Sequence, residues 1–137
     1  MLPLVMALYG TQSRFLWTDD EGHSHTIAQG EGGEQGDPLM PALYSLAQHD
    51  ALVEADGALL PGEHILSFLD DLYLVTSKDR AAEAFRTVTG AVARRAGVHT
   101  HLGKLKAWSA SGGPSPPDLA AISPEAWTAD LPEHVSH

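Results

Sequence analysis

The 137-residue sequence predicts an α+β fold, and two kinds of hydrophobic pattern support that prediction. Apolar residues recur at helical spacing in residues 38–55 and again in residues 79–96. Residues 13–29 and 65–76 are instead rich in strand-forming residues around a short polar turn, which is typical of β-hairpins. We therefore expect two main helices and two hairpins.

Composition excludes several classes of protein. Hydrophobic residues make up 43% of the chain, which is enough for a core, and there is no cysteine for disulfides or thiolate metal sites. The formal net charge of −10 is unfavourable for holding a phosphate backbone. No apolar run reaches about 18 residues, so we expect no transmembrane helix and no membrane partner. The apolar start lacks a basic region and does not resemble a signal peptide.

Local signals define the elements in the first part of the chain. Residues 1–10 have the pattern of a helix end that stops at Gly10. The hairpin over residues 13–29 is built from "SRFLWTD", the turn residues "DEG" and "HSHTIAQ". A Gly-rich bend follows, and Pro38 is suited to the first turn of the next helix.

The second part of the chain begins with a predicted loop, residues 56–63. We then predict a hairpin with a tight turn at Asp70 and Asp71. The helix over residues 79–96 would be capped by Ser77 or Asp79 and would end at Gly97.

The last part of the chain divides by composition. The stretch "VHTHLGKLKAWSA" predicts a strand. Residues 111–137 are rich in Pro and Gly, so we predict one domain over residues 1–110 followed by a poorly ordered extension.

The adjacent aspartates Asp70 and Asp71 interrupt the apolar run "ILSFLDDLYLVTS". Two like charges side by side are costly to bury. An ordinary turn would explain them, because Asp favours turns. Alternatively, the flanking strands would present both carboxylates at the tip of a buried hairpin. There a hard cation such as Mg²⁺ would offset their repulsion, as in two-metal phosphoryl-transfer sites.

The Gly-rich stretch "GEGGEQGDPLMP", residues 30–41, is the second candidate. It fits a plain loop that enters a helix. It also fits a backbone that approaches a nucleotide or a nucleic-acid strand, because a helix start favours anions. The Walker A pattern is absent.

Taken together, these motifs resemble the palm of a reverse transcriptase, most closely the enzymes of non-LTR retrotransposons. "QGDPL", residues 35–39, resembles the family's motif B. Some thirty residues later "FLDD", residues 68–71, resembles the aromatic-x-Asp-Asp turn of motif C. "AGVHTHLGKLKAW", residues 96–108, resembles motif D. The resemblance covers roughly residues 1–108.

The resemblance implies an RNA-directed DNA polymerase. A primer 3′-hydroxyl would attack the α-phosphate of a dNTP on an RNA template, with Mg²⁺ or Mn²⁺ as cofactor. Asp70 would be the principal metal ligand and Asp71 the secondary one, and Lys104 would help to protonate the departing pyrophosphate. The resemblance also implies an intracellular location, in the nucleus or cytoplasm.

The same resemblance implies a fold and a pocket. A partial polymerase palm would pair the hairpin over residues 65–76 with a strand near residues 102–108 in one small antiparallel sheet, backed by the two helices. Four matched positions would lie at the nucleotide and the template: Gln35, Gly36, Pro38 and Phe68.

The sequence departs from the family pattern in ways that affect activity. We expect the chain to lack the motif A aspartate, the fingers and the thumb, while Asp19 and Asp20 are expected to be solvated turn residues. Met40 stands where many relatives have a small hydroxyl residue, and His101 where many have asparagine. We therefore expect an incomplete site, little or no activity of the isolated chain, and weak affinity for nucleic acid.

Other chemistry-bearing side chains have simpler explanations. His23 and His25 alternate on one predicted strand, as His99 and His101 do on another, but no third metal ligand stands at a recognisable spacing. We expect surface or strand-packing histidines. Trp17, Trp108 and Trp127 could serve as base-stacking platforms, but Trp17 and Trp108 lie on predicted strands, where core or edge packing is the preferred interpretation.

Two further hypotheses belong to other classes of protein. The chain could be a non-catalytic retroelement remnant or protein-interaction module, in which exposed palm surface drives association. A receiver-like phospho-acceptor domain is disfavoured, because it requires alternating parallel strands and helices rather than a strand-turn-strand at the aspartates.

Overall fold

The computed structural model describes residues 2–30 and 36–129, and within them the chain is mixed α/β with small sheets. The chain divides into two compact units, Met1–Met40 and Pro41–His137. The elements, in chain order, are α1 (Leu2–Tyr9), β1 (Arg14–Thr18), β2 (Ser24–Ala28), α2 (Met40–Ala58), β3 (His64–Phe68), β4 (Asp71–Val75), α3 (Ala81–Ala96), a 3-10 turn (Leu102–Lys104), β5 (Ala107–Trp108), α4 (Pro117–Ile122) and β6 (Trp127–Thr128).

The first unit contains α1 and the antiparallel hairpin of β1 and β2, so the predicted hairpin over residues 13–29 is confirmed. Its turn is closed by the Asp19 carboxylate, which accepts hydrogen bonds from the backbone N–H groups of Glu21 and His23 at 3.1 and 2.8 Å. Every residue of both strands is exposed, so the pairing is set by the turn and the ladder rather than by burial.

The second unit is organised by the antiparallel hairpin of β3 and β4, whose inner face packs on a small core. Ile65 and Leu74 are cross-strand partners and lie against a cluster of buried residues in α2 and α3: Ala55, Val88 and Ala91. Residues directly opposite each other point to one face of the hairpin. The inner face therefore holds the hairpin to the two predicted helices, both of which are confirmed.

The base of this hairpin is clamped to the start of α3 by Glu63, which is 8% exposed. Its carboxylate accepts hydrogen bonds from the Thr76 hydroxyl at 2.7 Å, the Leu60 N–H at 2.8 Å and the Arg80 guanidinium at 3.3 Å. The Thr76 hydrogen bond, followed by the Leu60 N–H, lowers the pKa of Glu63 from 4.5 to about 2. Residues before β3, after β4 and before α3 are thereby tied to one ionised group.

The predicted helix caps are partly corrected. Gly97 ends α3 with φ of 67°, and its N–H donates to the Ala93 carbonyl, as predicted. The N-terminal prediction of Ser77 or Asp79 is wrong. The N-cap is Arg80, whose side chain makes no cap hydrogen bond and pairs instead with Glu63 and Glu83.

The strand predicted in residues 98–110 is also corrected. Only its middle is regular before residue 107, as a 3-10 turn over Leu102–Lys104, in which the Lys104 and Leu105 N–H groups donate back to the carbonyls of His101 and Leu102. Only Ala107–Trp108 is a strand, and it pairs in parallel with Trp127–Thr128. It does not join β3 and β4, so the predicted palm sheet with a strand near residues 102–108 is absent from the described residues.

The sequence predicts a poorly ordered extension over residues 111–137, of which residues 130–137 lie outside the described part of the chain and residues 111–129 lie within it. They carry α4 and β6, and bury Leu119 and Ala126. Lys78 ties this segment down, since its ammonium donates to the Gly112 carbonyl at 3.0 Å and lies 4.9 Å from the centre of the Trp127 ring. Two buried apolar side chains and the contacts of Lys78 offset the low propensity of a Pro- and Gly-rich sequence for regular structure. No helix in the described part of the chain has the length and apolar character needed to cross a membrane.

Two glycines are expected to respond to alanine with opposite signs. Gly97→Ala forces a side chain into a left-handed conformation and should lower the free energy of unfolding by about 1 kcal/mol. Gly57→Ala lies within α2 with open space around it, and should raise stability by about 0.5 kcal/mol. Urea unfolding midpoints of the two variants measure both effects, and equal shifts would contradict the assigned backbone conformations.

The Glu63 clamp should give the chain a defined sensitivity to acid. Because its pKa is near 2 when folded and 4.5 when unfolded, its stabilisation is fully present above pH 4.5 and is lost as the pH falls toward 2. Glu63→Gln should therefore lower the melting temperature at pH 7, and the gap from the native chain should narrow across this pH range. Glu125→Gln, at an exposed position, is the control; a pH-independent gap for Glu63→Gln would refute the clamp.

Candidate functional site

The aspartate pair lies at the tip of the β3–β4 hairpin. Phe68 and Asp71 are the last cross-strand pair, so the connecting loop consists of Leu69 and Asp70. The predicted turn at Asp70 and Asp71 is thus corrected by one position, because Asp71 is the first residue of β4. Both aspartates are exposed, which places two carboxylates at the solvent end of a hairpin whose inner face is packed.

The loop has an unusual backbone at Leu69, whose φ is 56°. Among the described residues, Leu69 alone has a positive φ without being glycine. A positive φ at the first loop residue and a negative one at the second is the pattern of a type II′ turn, which favours glycine at its first position. A leucine there costs on the order of 1 kcal/mol. Such strain persists only where the surroundings enforce it, and it concentrates at functional sites.

The side chain that supports this loop is Gln48 of α2, which is 2% exposed. Its amide nitrogen donates to the Leu69 carbonyl at 2.7 Å and more weakly to the Ser67 hydroxyl at 3.4 Å. Its amide oxygen is buried and has no hydrogen-bond partner among the described residues. Leaving a buried acceptor unpaired costs roughly 1–3 kcal/mol, so Gln48 holds the loop at a local energetic cost.

Tyr44 precedes Gln48 by one helical turn and connects α2 to Asp70 electrostatically. Burial raises the pKa of the Tyr44 hydroxyl, and the negative charge of Asp70 raises it further. Residues four apart share a helix face, so Tyr44 and Gln48 approach the hairpin tip from the same side. The charge of Asp70 is therefore felt by a partly buried phenol, and both effects favour its neutral form.

The outer face of the hairpin is apolar and exposed. Phe68, 71% exposed, stands opposite Asp71, and Leu66 stands opposite Tyr73 two pairs further from the tip. Val75, opposite His64, continues the same face. An aromatic ring and a carboxylate thus lie side by side on a surface that no described element covers.

The donor atoms at the tip suit a hard divalent cation. Mg²⁺ is commonly held by one or two carboxylates together with water or substrate phosphate, and Asp70 and Asp71 supply two carboxylates with solvent access. Within residues 2–30 and 36–129, no group of three or more His, Cys, Asp or Glu side chains is placed to hold a metal ion. The tip therefore offers two carboxylate donors, and, within the described part of the chain, any further ligand would have to be water or a bound substrate.

The predicted motif B residues belong to the first unit, while the aspartate pair belongs to the second. Gln35 lies outside the described residues. Gly36 has φ of 94°, which favours glycine, and Pro38 follows in the turn that starts α2. Asp37 organises this turn, since its carboxylate accepts hydrogen bonds from the Tyr9 hydroxyl at 2.6 Å and the Leu39 N–H at 2.9 Å. These bonds, that from Tyr9 foremost, lower the pKa of Asp37.

Lys104, the predicted proton donor, ends the 3-10 turn and is exposed. No hydrogen bond or ion pair among the described residues joins it to Asp70 or Asp71. The structure therefore places Lys104 on an accessible surface and leaves its predicted role as a prediction.

The histidine candidates are explained by local structure. The His25 imidazole nitrogen lies 2.7 Å from the Asp19 carboxylate, and its ring stacks on Trp17 with 5.1 Å between centroids. The hydrogen bond from His25 contributes most to lowering the pKa of Asp19. His99 and His101 precede the 3-10 turn and do not alternate on a strand as predicted.

Sequence reasoning did not identify Gln48 and Tyr44 as part of the site. A signal was present, because Gln48 shares a buried stripe with Ala51 and Ala55 at helical spacing. One long polar side chain on an otherwise apolar stripe requires a hydrogen-bond partner.

Comparison with protein-family models, with curated proteins and with solved structures found no match.

The link between Asp70 and Tyr44 can be tested by titration. Asp70→Asn removes the nearby negative charge, so the Tyr44 pKa should fall but stay above 10 because burial persists. ¹³C NMR of the labelled tyrosine ring measures the shift. Asp71→Asn is the matched control and should leave the Tyr44 pKa unchanged; equal shifts in both variants would refute the assignment.

Proposed function

We propose that this chain carries part of a reverse transcriptase palm, in which Asp70 and Asp71 bind Mg²⁺ for nucleotidyl transfer. The observation that supports it most is the tip of the β3–β4 hairpin. Two exposed carboxylates directly follow a strained loop residue, and a buried amide donates a hydrogen bond to the carbonyl of that residue. An ordinary turn needs neither the strain at Leu69 nor the unpaired oxygen of Gln48.

The chemistry of this proposal divides among named residues. Asp70 and Asp71 bind the cation through carboxylate oxygens. When bound, Mg²⁺ would neutralise negative charge that develops on the transferring phosphoryl group. Phe68 offers an apolar ring beside Asp71, where a nucleotide or primer terminus could stack. The Tyr44 hydroxyl stays protonated and neutral because its pKa is raised, so the negative charge at the tip comes from the two carboxylates alone.

Substrates follow from the sequence resemblance and belong to the same proposal. They are an RNA template, a DNA primer and a dNTP, with Gln35, Gly36 and Pro38 at the nucleotide and Lys104 as proton donor to pyrophosphate. The net charge of −10 opposes binding to phosphate, so the chain by itself should bind nucleic acid weakly and synthesise little DNA. Steady synthesis on a primed RNA template by the purified chain would contradict that expectation.

A non-catalytic interaction module is the second candidate, and the exposed outer face of β3 and β4 favours it. Leu66, Phe68, Tyr73 and Val75 are each at least half exposed on that face. Contiguous apolar surface of this kind marks protein contacts. The candidates differ in what the aspartates do, because a module has no need of a cation.

The proposal predicts a cation site confined to the hairpin tip. Substoichiometric Mn²⁺ should broaden the NMR amide signals of residues 69–72 first, since a paramagnetic ion acts on its nearest neighbours. Asp70→Asn should abolish this broadening and Asp71→Asn should reduce it, in keeping with principal and secondary ligands. Mg²⁺ should compete with Mn²⁺ and restore the signals.

Two controls make this experiment decisive. Asp56→Asn changes an exposed carboxylate elsewhere on α2 and should leave the broadening intact. Asp19 and Asp20 are a second adjacent pair, but Asp19 is already engaged by protein donors. If Mn²⁺ broadens the signals of Asp19 and Asp20 as much as those of Asp70 and Asp71, the ion is attracted nonspecifically by acidic turns. That result would favour the interaction module.

A further inference from the structure

We propose that Gln48 is a positioning residue, which holds the Leu69–Asp70 loop in its positive-φ conformation and thereby presents Asp70 at the hairpin tip. This inference rests on the proposed function for its purpose, while its structural part can be tested without any metal. Gln48 does not touch the reacting atoms and acts through the backbone of the loop.

Geometry supports this role. The Gln48 amide nitrogen reaches the carbonyl of Leu69 itself, at 2.7 Å, and not a neighbouring residue of the loop. That carbonyl belongs to the peptide unit between Leu69 and Asp70. A hydrogen bond at this point therefore restrains the peptide plane that sets where Asp70 lies.

The unpaired atom of the same side chain argues against a purely stabilising role. A buried amide chosen for stability would satisfy both its nitrogen and its oxygen, whereas the Gln48 oxygen has no partner among the described residues. The neighbours of Gln48 on the buried stripe of α2 are Ala51 and Ala55, so an apolar side chain suits this environment. What glutamine adds at this position is an amide N–H that donates to the Leu69 carbonyl.

The strain at Leu69 supplies the reason why a donor is needed. A leucine with φ of 56° tends to relax toward negative φ unless something opposes it. In hairpins the turn type also fixes the register of the strands. Without the Gln48 hydrogen bond the loop would relax, and the Asp70 carboxylate would sample several positions.

Gln48→Met separates positioning from stability, because it keeps length and adds an apolar side chain without a donor. We expect a melting temperature equal to or above that of the native chain, since no buried oxygen is left unpaired. In metal-free protein, the backbone ¹³C shifts of Leu69 should lose their positive-φ signature. The Mn²⁺ dissociation constant at Asp70 should rise about tenfold, as for other groups that orient metal ligands.

Gln12→Met is the matched control. The Gln12 amide nitrogen also donates to a backbone carbonyl at 2.7 Å, that of Gln29, in the other hairpin. Its replacement should leave the Leu69 shifts and the Mn²⁺ affinity unchanged. Gln48→Leu is a second variant in case methionine impairs folding.

The outcomes separate the two proposals. Positive-φ shifts at Leu69 that persist in a folded Gln48 variant would overturn the positioning role, as would unchanged Mn²⁺ affinity where the native chain binds Mn²⁺ at Asp70. If the native chain binds no Mn²⁺ there, the proposed function fails. Loss of the Leu69 signature in the Gln48 variants would then still support the role of Gln48 in holding the loop.

Discussion

The hydrogen bond from the buried Gln48 amide to the Leu69 carbonyl joins helix α2 to the loop of the β3–β4 hairpin. It does so at the residue with the strained backbone. It fixes a two-residue loop whose first member has an unfavourable φ. The turn type of a hairpin loop and the register of its strands depend on each other. By restraining the loop, this hydrogen bond also favours the observed register of β3 and β4. We infer that the position of Asp70 follows from this contact, while Asp71 is placed by its pairing with Phe68.

The opposite end of the same hairpin is held by charge. Glu63 gathers a hydroxyl, a backbone N–H and a guanidinium around one nearly buried carboxylate, which ties the hairpin base to α3. Between the two ends, Ile65 and Leu74 pack on a core made mainly of alanine and valine. The hairpin buries only its inner face, so its small core restrains the backbone weakly. The hydrogen bonds of Gln48 at the tip and of Glu63 at the base restrain the two ends of the hairpin that burial does not fix.

Such an arrangement is consistent with a hairpin that displays carboxylates. The tip is exposed, the charge of Asp70 favours the neutral form of the Tyr44 phenol, and the Phe68 ring stands opposite Asp71 on the outer face. Both candidate functions use this surface. In one, a cation and a nucleotide occupy it; in the other, a protein partner covers the apolar side chains. The carboxylates distinguish them, since they are ligands in the first case and only solubilising charges in the second.

Several local elements could be predicted from the sequence, because each depends on short-range chemistry. Helical spacing gave α2 and α3, the αL preference of glycine ended α3 at Gly97, and apolar strands around two aspartates gave β3 and β4. Tertiary structure decided what pairs at long range. It placed Ala107–Trp108 beside Trp127–Thr128, because packing of α4 brings that tail back, and it put Gln48 under the loop. No local pattern specifies a hydrogen bond between residues 21 positions apart, so only folding could reveal what holds Asp70 in place.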